Sequence, residues 1–236
     1  MSFIVILVCL SAQWFLKLSD IPRDFNWAEK YLTWMRNRFL SLTHDHRLFS
    51  FLLLVLPIVI VVSLIFTLVY HVFGHVGYSI LSLLLLWYCV DIAILKQTTA
   101  APIPTADLFL KTYQRIFALL FWYFIFGPVG LALYVVVAAL YTQLHEQKYF
   151  ILIQGILDWL PIRLLGLSFA LAGNFSVVFK EWMKTLFQGV APNQNQVVSF
   201  GELAVAADPD AQNLVRRALL IWLVVMGLIT LGSWIG

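Results

Sequence analysis

An aspartate, a proline and an arginine interrupt an apolar run at Leu157-Asp158-Trp159-Leu160-Pro161-Ile162-Arg163-Leu164. Charge at membrane depth costs several kcal/mol, roughly 2.5–3.5 per residue on insertion scales, so such residues are usually paired, turned toward water and functional. Arg163 has the planar fork of donors that orients a carboxylate or phosphate, and Asp158 can hold the arginine or accept a hydrogen bond from a ligand. Pro161 disfavours helical geometry at Leu160 and suits the first turn of a new helix. The spacing therefore predicts two half-helices, 149–159 and 161–173, meeting inside the membrane, where the exposed N-terminus of the second adds positive potential. Five residues apart, Asp158 and Arg163 would not share a face of a continuous helix, but a break lets them approach. A buried pair that only fixes packing accounts for the same residues, and both readings stand at this point.

Other polar residues carry weaker signals. His71 and His75 are four apart, a spacing found in metal sites, but Gly74 and Gly77 beside them suggest a turn at the membrane surface. His44-Asp45-His46 fits a solvated cap better than a metal site. Asp91, Gln143, His145 and Glu146 lie near span ends, as snorkelling groups or as part of a polar cavity. Gly127-Pro128-Val129-Gly130 reads as a kink where another helix comes close, and Gly232 and Gly236 have the spacing of a packing face. Cys9 and Cys89 sit in separate apolar segments and are expected to pack as small hydrophobes. No phosphate-binding glycine loop or nucleophile elbow occurs in the sequence. No metal or cofactor is expected, and no catalytic residue stands out.

The elements that must position these residues follow from composition. The 236 residues are 62% hydrophobic and 11% charged, with a mean hydropathy of +0.90. Soluble domains carry about 25% charged residues, so the chain is read as a multi-pass membrane protein forming one domain. Spans of about 20 residues are predicted at 2–18, 48–70, 76–95, 116–141, 149–175 and 218–235. The first is taken as an uncleaved helix, since a basic region ahead of it is lacking. The net charge of +3 comes from basic residues gathered in the connections 19–47, 96–115 and 176–217. That is a topology signal rather than a nucleic-acid footprint, and it predicts six crossings with both termini outside and those three loops in the cytoplasm. Only Lys148 falls on the far side in this scheme, and Arg163 lies within the membrane. Residues 24–42 and 178–188 have the pattern of basic amphipathic helices, lying on the inner membrane face or packed on the bundle. Asn26 with Glu29 suggests a capping box. The polar stretch 189–213 reads as a loop with one helical turn near 200–206. The fold class is all-α: a polytopic helical bundle with one proline-broken helix and two interfacial helices.

Three segments carry a family resemblance. Arg115-Ile116-Phe117-Ala118-Leu119-Leu120-Phe121-Trp122, with Gly127-Pro128-Val129-Gly130 and Tyr134, resembles the central motif of AmpE proteins. Asp158-Trp159-Leu160-Pro161-Ile162-Arg163-Leu164 is similar to a motif shared by AmpE and the CobD/CbiB cobinamide-phosphate synthases. Leu214-Val215-Arg216-Arg217-Ala218-Leu219-Leu220 resembles the entry to the last AmpE span. The resemblance implies a bacterial inner-membrane modulator tied to β-lactamase induction and cell-wall recycling. In the synthase relatives it would imply ATP-driven amide formation between a corrinoid carboxylate and an amino-alcohol phosphate. The short connection 96–115, Val135 after Tyr134 and the missing aspartate beyond it depart from those patterns and weigh against the enzyme. The expected ligand-binding set is Asp158, Trp159, Pro161, Arg163 and Arg115. Expected partners are the lipid bilayer and a small anionic ligand or a signalling protein, with no nucleic acid. A small-solute transporter is a further alternative.

Overall fold

A computed structural model describes residues 2–15, 26–39, 47–95, 104–143, 148–186, 189, 194–205 and 210–235. Among them every regular element is helical, as an apolar chain requires where water cannot satisfy backbone groups. The helices are α1 (Ser2–Phe15), α2 (Asn26–Phe39), α3 (Arg47–Cys89), α4 (Thr105–Thr112), α5 (Ala118–Gln143), α6 (Lys148–Ala172), α7 (Phe175–Leu186), α8 (Gln194–Val205) and α9 (Ala211–Ile235). A 3₁₀ turn, Ala93–Leu95, follows α3, and a π-helical turn, Tyr113–Phe117, joins α4 to α5. Four stretches are long and apolar enough to cross a membrane: Phe51–Cys89, Thr105–Gln143, Lys148–Ala172 and Ala211–Ser233. The protein is a multi-pass membrane protein of the helical-bundle class.

Two of these stretches fold back on themselves. α3 has 43 residues, about 65 Å if straight and twice the hydrocarbon thickness. Its backbone reverses at Gly74 (φ 64°, ψ −155°), a conformation in which side-chain-bearing residues are strained. Phe66 and Tyr78, twelve residues apart, consequently meet with ring centroids 5.4 Å apart. Gly127 repeats the device at φ 64° and ψ −150°, and Pro128 follows as the first residue of the returning helix. The second glycine of each Gly-X-X-Gly turn permits close approach: a Cβ on Gly130 would lie 2.5 Å from the Trp122 carbonyl oxygen. The two turns are neighbours, since a Cβ on Gly127 would lie 3.5 Å from the Tyr78 hydroxyl. The predicted turn near His71 and His75 is thus present. The predicted continuous helix over 116–141 is corrected: the expected kink at Gly127 is a reversal of the chain.

The predicted break at Pro161 is also corrected. α6 runs unbroken from Lys148 to Ala172 with Pro161 buried inside it, so the chain's interruptions lie at Gly74 and Gly127 instead. An interior proline removes one backbone hydrogen bond and costs about 3 kcal/mol. α6 offsets that through its packing on α5, α7, α8 and α9. Phe150, near the start of α6, packs edge-on against Phe51 at 5.5 Å, and Phe169, near its end, meets Phe109 at 5.4 Å. A Cβ on Gly173 would touch Leu214, and the neighbouring Arg216 donates to the Leu95 carbonyl at 2.7 Å. Phe51 and Leu95 flank the folded-back α3, so both ends of α6 lie at the end of the bundle opposite the glycine turns.

Both amphipathic helices form, α2 over a narrower range than predicted and α7 beginning three residues earlier, at Phe175. α2 packs on the bundle: Met35 joins a cluster with Val136, Val137 and Leu140, and the Tyr31 hydroxyl donates to the Leu54 carbonyl at 2.9 Å. α7 turns Phe179 and Trp182 inward and leaves Phe175 and Met183 exposed. Where a single turn was expected near 200–206, α8 is a full helix, buried through Val197, Phe200, Gly201 and Ala204 at helical spacing. The Asn26 side chain, His44-Asp45-His46, His145 and Glu146 lie outside the described residues.

Candidate functional site

The π-helical turn builds the site. Wider than an α-helical turn, and recurrent at functional sites, it aims three successive side chains at three separate elements. The Tyr113 hydroxyl donates to Asp158 Oδ1 at 2.5 Å, Gln114 Nε2 to Gln194 Oε1 at 2.8 Å, and Arg115 Nη1 to Asp91 Oδ2 at 3.2 Å. Asp91 is held in turn by its amide, which donates to the Arg115 carbonyl, and by its Oδ1, which accepts from the Ala93 amide at 3.0 Å.

Asp158 is 1% exposed and has no cationic partner among the described residues. A bare carboxylate in such a place is costly, and four donors compensate for it. Tyr113 and Tyr134 (2.9 Å) donate to Oδ1, and Gln154 Nε2 (2.9 Å) and Gln194 Nε2 (3.2 Å) donate to Oδ2. A carboxylate has about four acceptor positions, so every one is occupied. Tyr113 and Tyr134 are 21 residues apart, about 31 Å along a straight helix, so only the reversal at Gly127 brings them to one oxygen.

Arg163 does not join this network. Asp158 and Arg163 lie about 140° apart around the unbroken α6, and the arginine faces α7. Its Nη2 donates to the Thr185 carbonyl at 2.8 Å, its Nη1 to the Trp159 carbonyl at 3.0 Å, and its guanidinium stacks over the Trp159 ring at 4.2 Å. Trp182 Nε1 donates to the Arg163 carbonyl at 2.8 Å. Arg163 and Trp159 therefore fasten α6 to α7.

Arg115 is half exposed and stands on the wall of a cavity of about 260 Å³. The wall also includes Asp91, Gln114, Tyr134, Gln154 and Gln194. Of the five expected site residues, the structure puts Arg115 on the cavity wall beside three donors to Asp158, namely Tyr134, Gln154 and Gln194, and turns Trp159 and Arg163 toward α7. Of the polar residues placed near span ends, Asp91 faces the cavity. Tyr113, Gln114, Gln154 and Gln194 were not anticipated. Gln154 had a signal, as a glutamine inside an apolar run one helical turn before Asp158. Gln194 had none, because its role depends on where α8 docks.

At the opposite end, His75 Nε2 lies 3.4 Å from the Tyr70 hydroxyl, and its ring packs edge-on against Tyr70 at 5.0 Å. No group of three metal-ligating side chains occurs among the described residues. Cys9 and Cys89 are not joined, and Cys9 is buried beside Gln13. No family model matches the chain, and neither the curated proteins nor the solved structures yield a match.

Proposed function

We propose that this protein is a ligand-responsive modulator of the AmpE type in a bacterial inner membrane, and that it holds a small anion at Arg115 in the cavity beside Asp158. The observation that carries this reading is the half-exposed Arg115 guanidinium on a 260 Å³ cavity whose wall also holds Tyr134, Gln154 and Gln194, three of the donors that fill the acceptor positions of Asp158. An arginine so placed can take a carboxylate or phosphate bidentately. A saturated Asp158 is poorly placed to take a proton from a substrate. That favours binding over the synthase-type alternative, and the output in β-lactamase induction follows from the sequence resemblance.

An anion at Arg115 competes with Asp91, whose other oxygen caps the Ala93–Leu95 turn at the head of the 96–115 connection. Occupancy is thereby transmitted to a basic, cytoplasmic segment. In the proposed orientation that segment lies inside: all lysines and arginines fall within 17–47, 96–115 and 148–217, and the glycine turns carry none. The six crossings are then α1, the two arms of each hairpin and α9, while α6 lies across the cytoplasmic end.

Thermal unfolding of the detergent-solubilised protein against a panel of carboxylates and phosphates tests this. An anion at about 100 times its dissociation constant should stabilise the wild type by roughly 2.7 kcal/mol. Arg115→Gln should abolish that shift. Arg163→Ala should lower the melting temperature through lost packing on Trp159 and keep the shift. Loss of the shift in Arg163→Ala but not in Arg115→Gln would overturn the assignment.

A further inference from the structure

A second cavity of about 260 Å³ is an apolar groove between α5, α6 and α9. Its floor includes Ser168, Trp222 and Met226, all buried, and its rim includes Ile125, Val225 and Ile229, each about half exposed. Ser168, the only hydroxyl-bearing serine or threonine among the described lining residues, donates to the Leu164 carbonyl one turn back at 2.9 Å. Its hydroxyl is thereby spent within α6, and apolar hollows of this kind hold hydrocarbon rather than water. On the adjoining face of α9, Leu220, Val224 and Leu228 are exposed, so the groove opens onto a surface that meets lipid. Arg217 is also exposed and stands one helical turn before Ile221, which lines the groove, so the two share a face of α9. The neighbouring Arg216 lies 5.9 Å over the half-exposed Trp14 ring, and tryptophans gather at the headgroup level of membranes. From Arg217 to Ile229 is about 18 Å along the helix, against about 15 Å for one leaflet of the hydrocarbon core.

We propose that this groove is a binding site for one anionic phospholipid, its acyl chain lying on Trp222 and Met226 and its phosphate on Arg217. The length of the groove matches a single leaflet, its wall matches a hydrocarbon chain, and the cation at its foot matches the headgroup charge. It is separate from the Arg115 cavity, whose wall carries charged and amide side chains. Only the choice of the cytoplasmic leaflet rests on the orientation proposed above.

The test uses the full-length protein, delipidated in detergent and titrated with phosphatidylglycerol and phosphatidylcholine that carry the same brominated acyl chains. Bromine quenches indole fluorescence at contact, and the Trp222 signal is the difference between wild type and Trp222→Phe. Phosphatidylglycerol should quench that signal at about fivefold lower concentration than phosphatidylcholine, the contribution of one arginine near the membrane surface. Arg217→Gln should bring the two midpoints together. Ser168→Leu, which fills the floor, should remove the quenching of Trp222 by either lipid, and Ser168→Ala should keep it. An excess of glycerol 3-phosphate, a headgroup without chains, should leave the quenching unchanged. Equal midpoints in the wild type would overturn the headgroup assignment, and displacement by glycerol 3-phosphate would give Arg217 to a free phosphate instead. Quenching that persists in Ser168→Leu would overturn the groove, the chains then only coating the surface, and no quenching by either lipid would overturn the whole proposal. Should Ser168→Leu fail to fold, Val225→Phe at the exposed rim narrows the groove in its place.

Discussion

Asp158 and Arg163 stand five residues apart in one apolar helix and have unrelated partners. The aspartate is satisfied by two tyrosines and two glutamines, the arginine by backbone carbonyls and an indole face. Removing the closest donor tests the weight of the first set. Tyr113→Phe should cost about 2 kcal/mol, because a charge-assisted bond is lost in a place water does not reach. Gln194→Ala, which removes the longest and least buried of the four bonds, should cost less than half of that. Thermal unfolding of the two variants checks the order; equal losses would contradict a network dominated by the tyrosines. At this scale the sequence announced that something is buried at Asp158. It could not name the partners, because Tyr113, Tyr134 and Gln194 come from three other elements.

The helices themselves were largely legible, since long apolar runs leave few alternatives to a helix. What misled was punctuation. Pro161 is a strong local breaker, yet α6, packed on four neighbours, continues through it. Gly74 and Gly127 are weaker local signals, yet each reverses the chain, because only a residue without a side chain tolerates that backbone freely and the second glycine lets the returning arm close in. Pro161→Ala separates the two accounts. In an unbroken helix it restores a backbone bond while trimming buried ring atoms, so stability should change by no more than about 1 kcal/mol. A loss of 3 kcal/mol or more would mean that the proline shapes a necessary break.

For the molecule as a whole, the proposed orientation with its two reversals removes the one exception in the charge pattern. Counting 116–141 as a single crossing stranded Lys148 on the wrong side. In the proposed orientation, with the chain folded back at Gly127, Lys148 joins the other cations, and α6 begins and ends among them. Single cysteines placed at Lys148 and Asn174 in a cysteine-free background should react with a membrane-impermeant thiol reagent from the same side as one at Lys111. A cysteine at His75 should react from the opposite side. Opposite labelling of positions 148 and 174 would restore α6 as a crossing. The apolar helices were readable from hydropathy. Where the chain turns back within them was not, because a hairpin with an apolar turn and a single oversized span share the same composition.

The four donors around Asp158 come from residues 113, 134, 154 and 194, so the carboxylate precedes its last partner by 36 positions in the chain. During synthesis α6 is made and placed before α8 exists to close over it, and for that interval one acceptor edge of the aspartate lacks part of its complement. Release from that state requires Gln194 to arrive. Three of the four donors thus precede the aspartate in the chain, and α8 supplies the last when it docks.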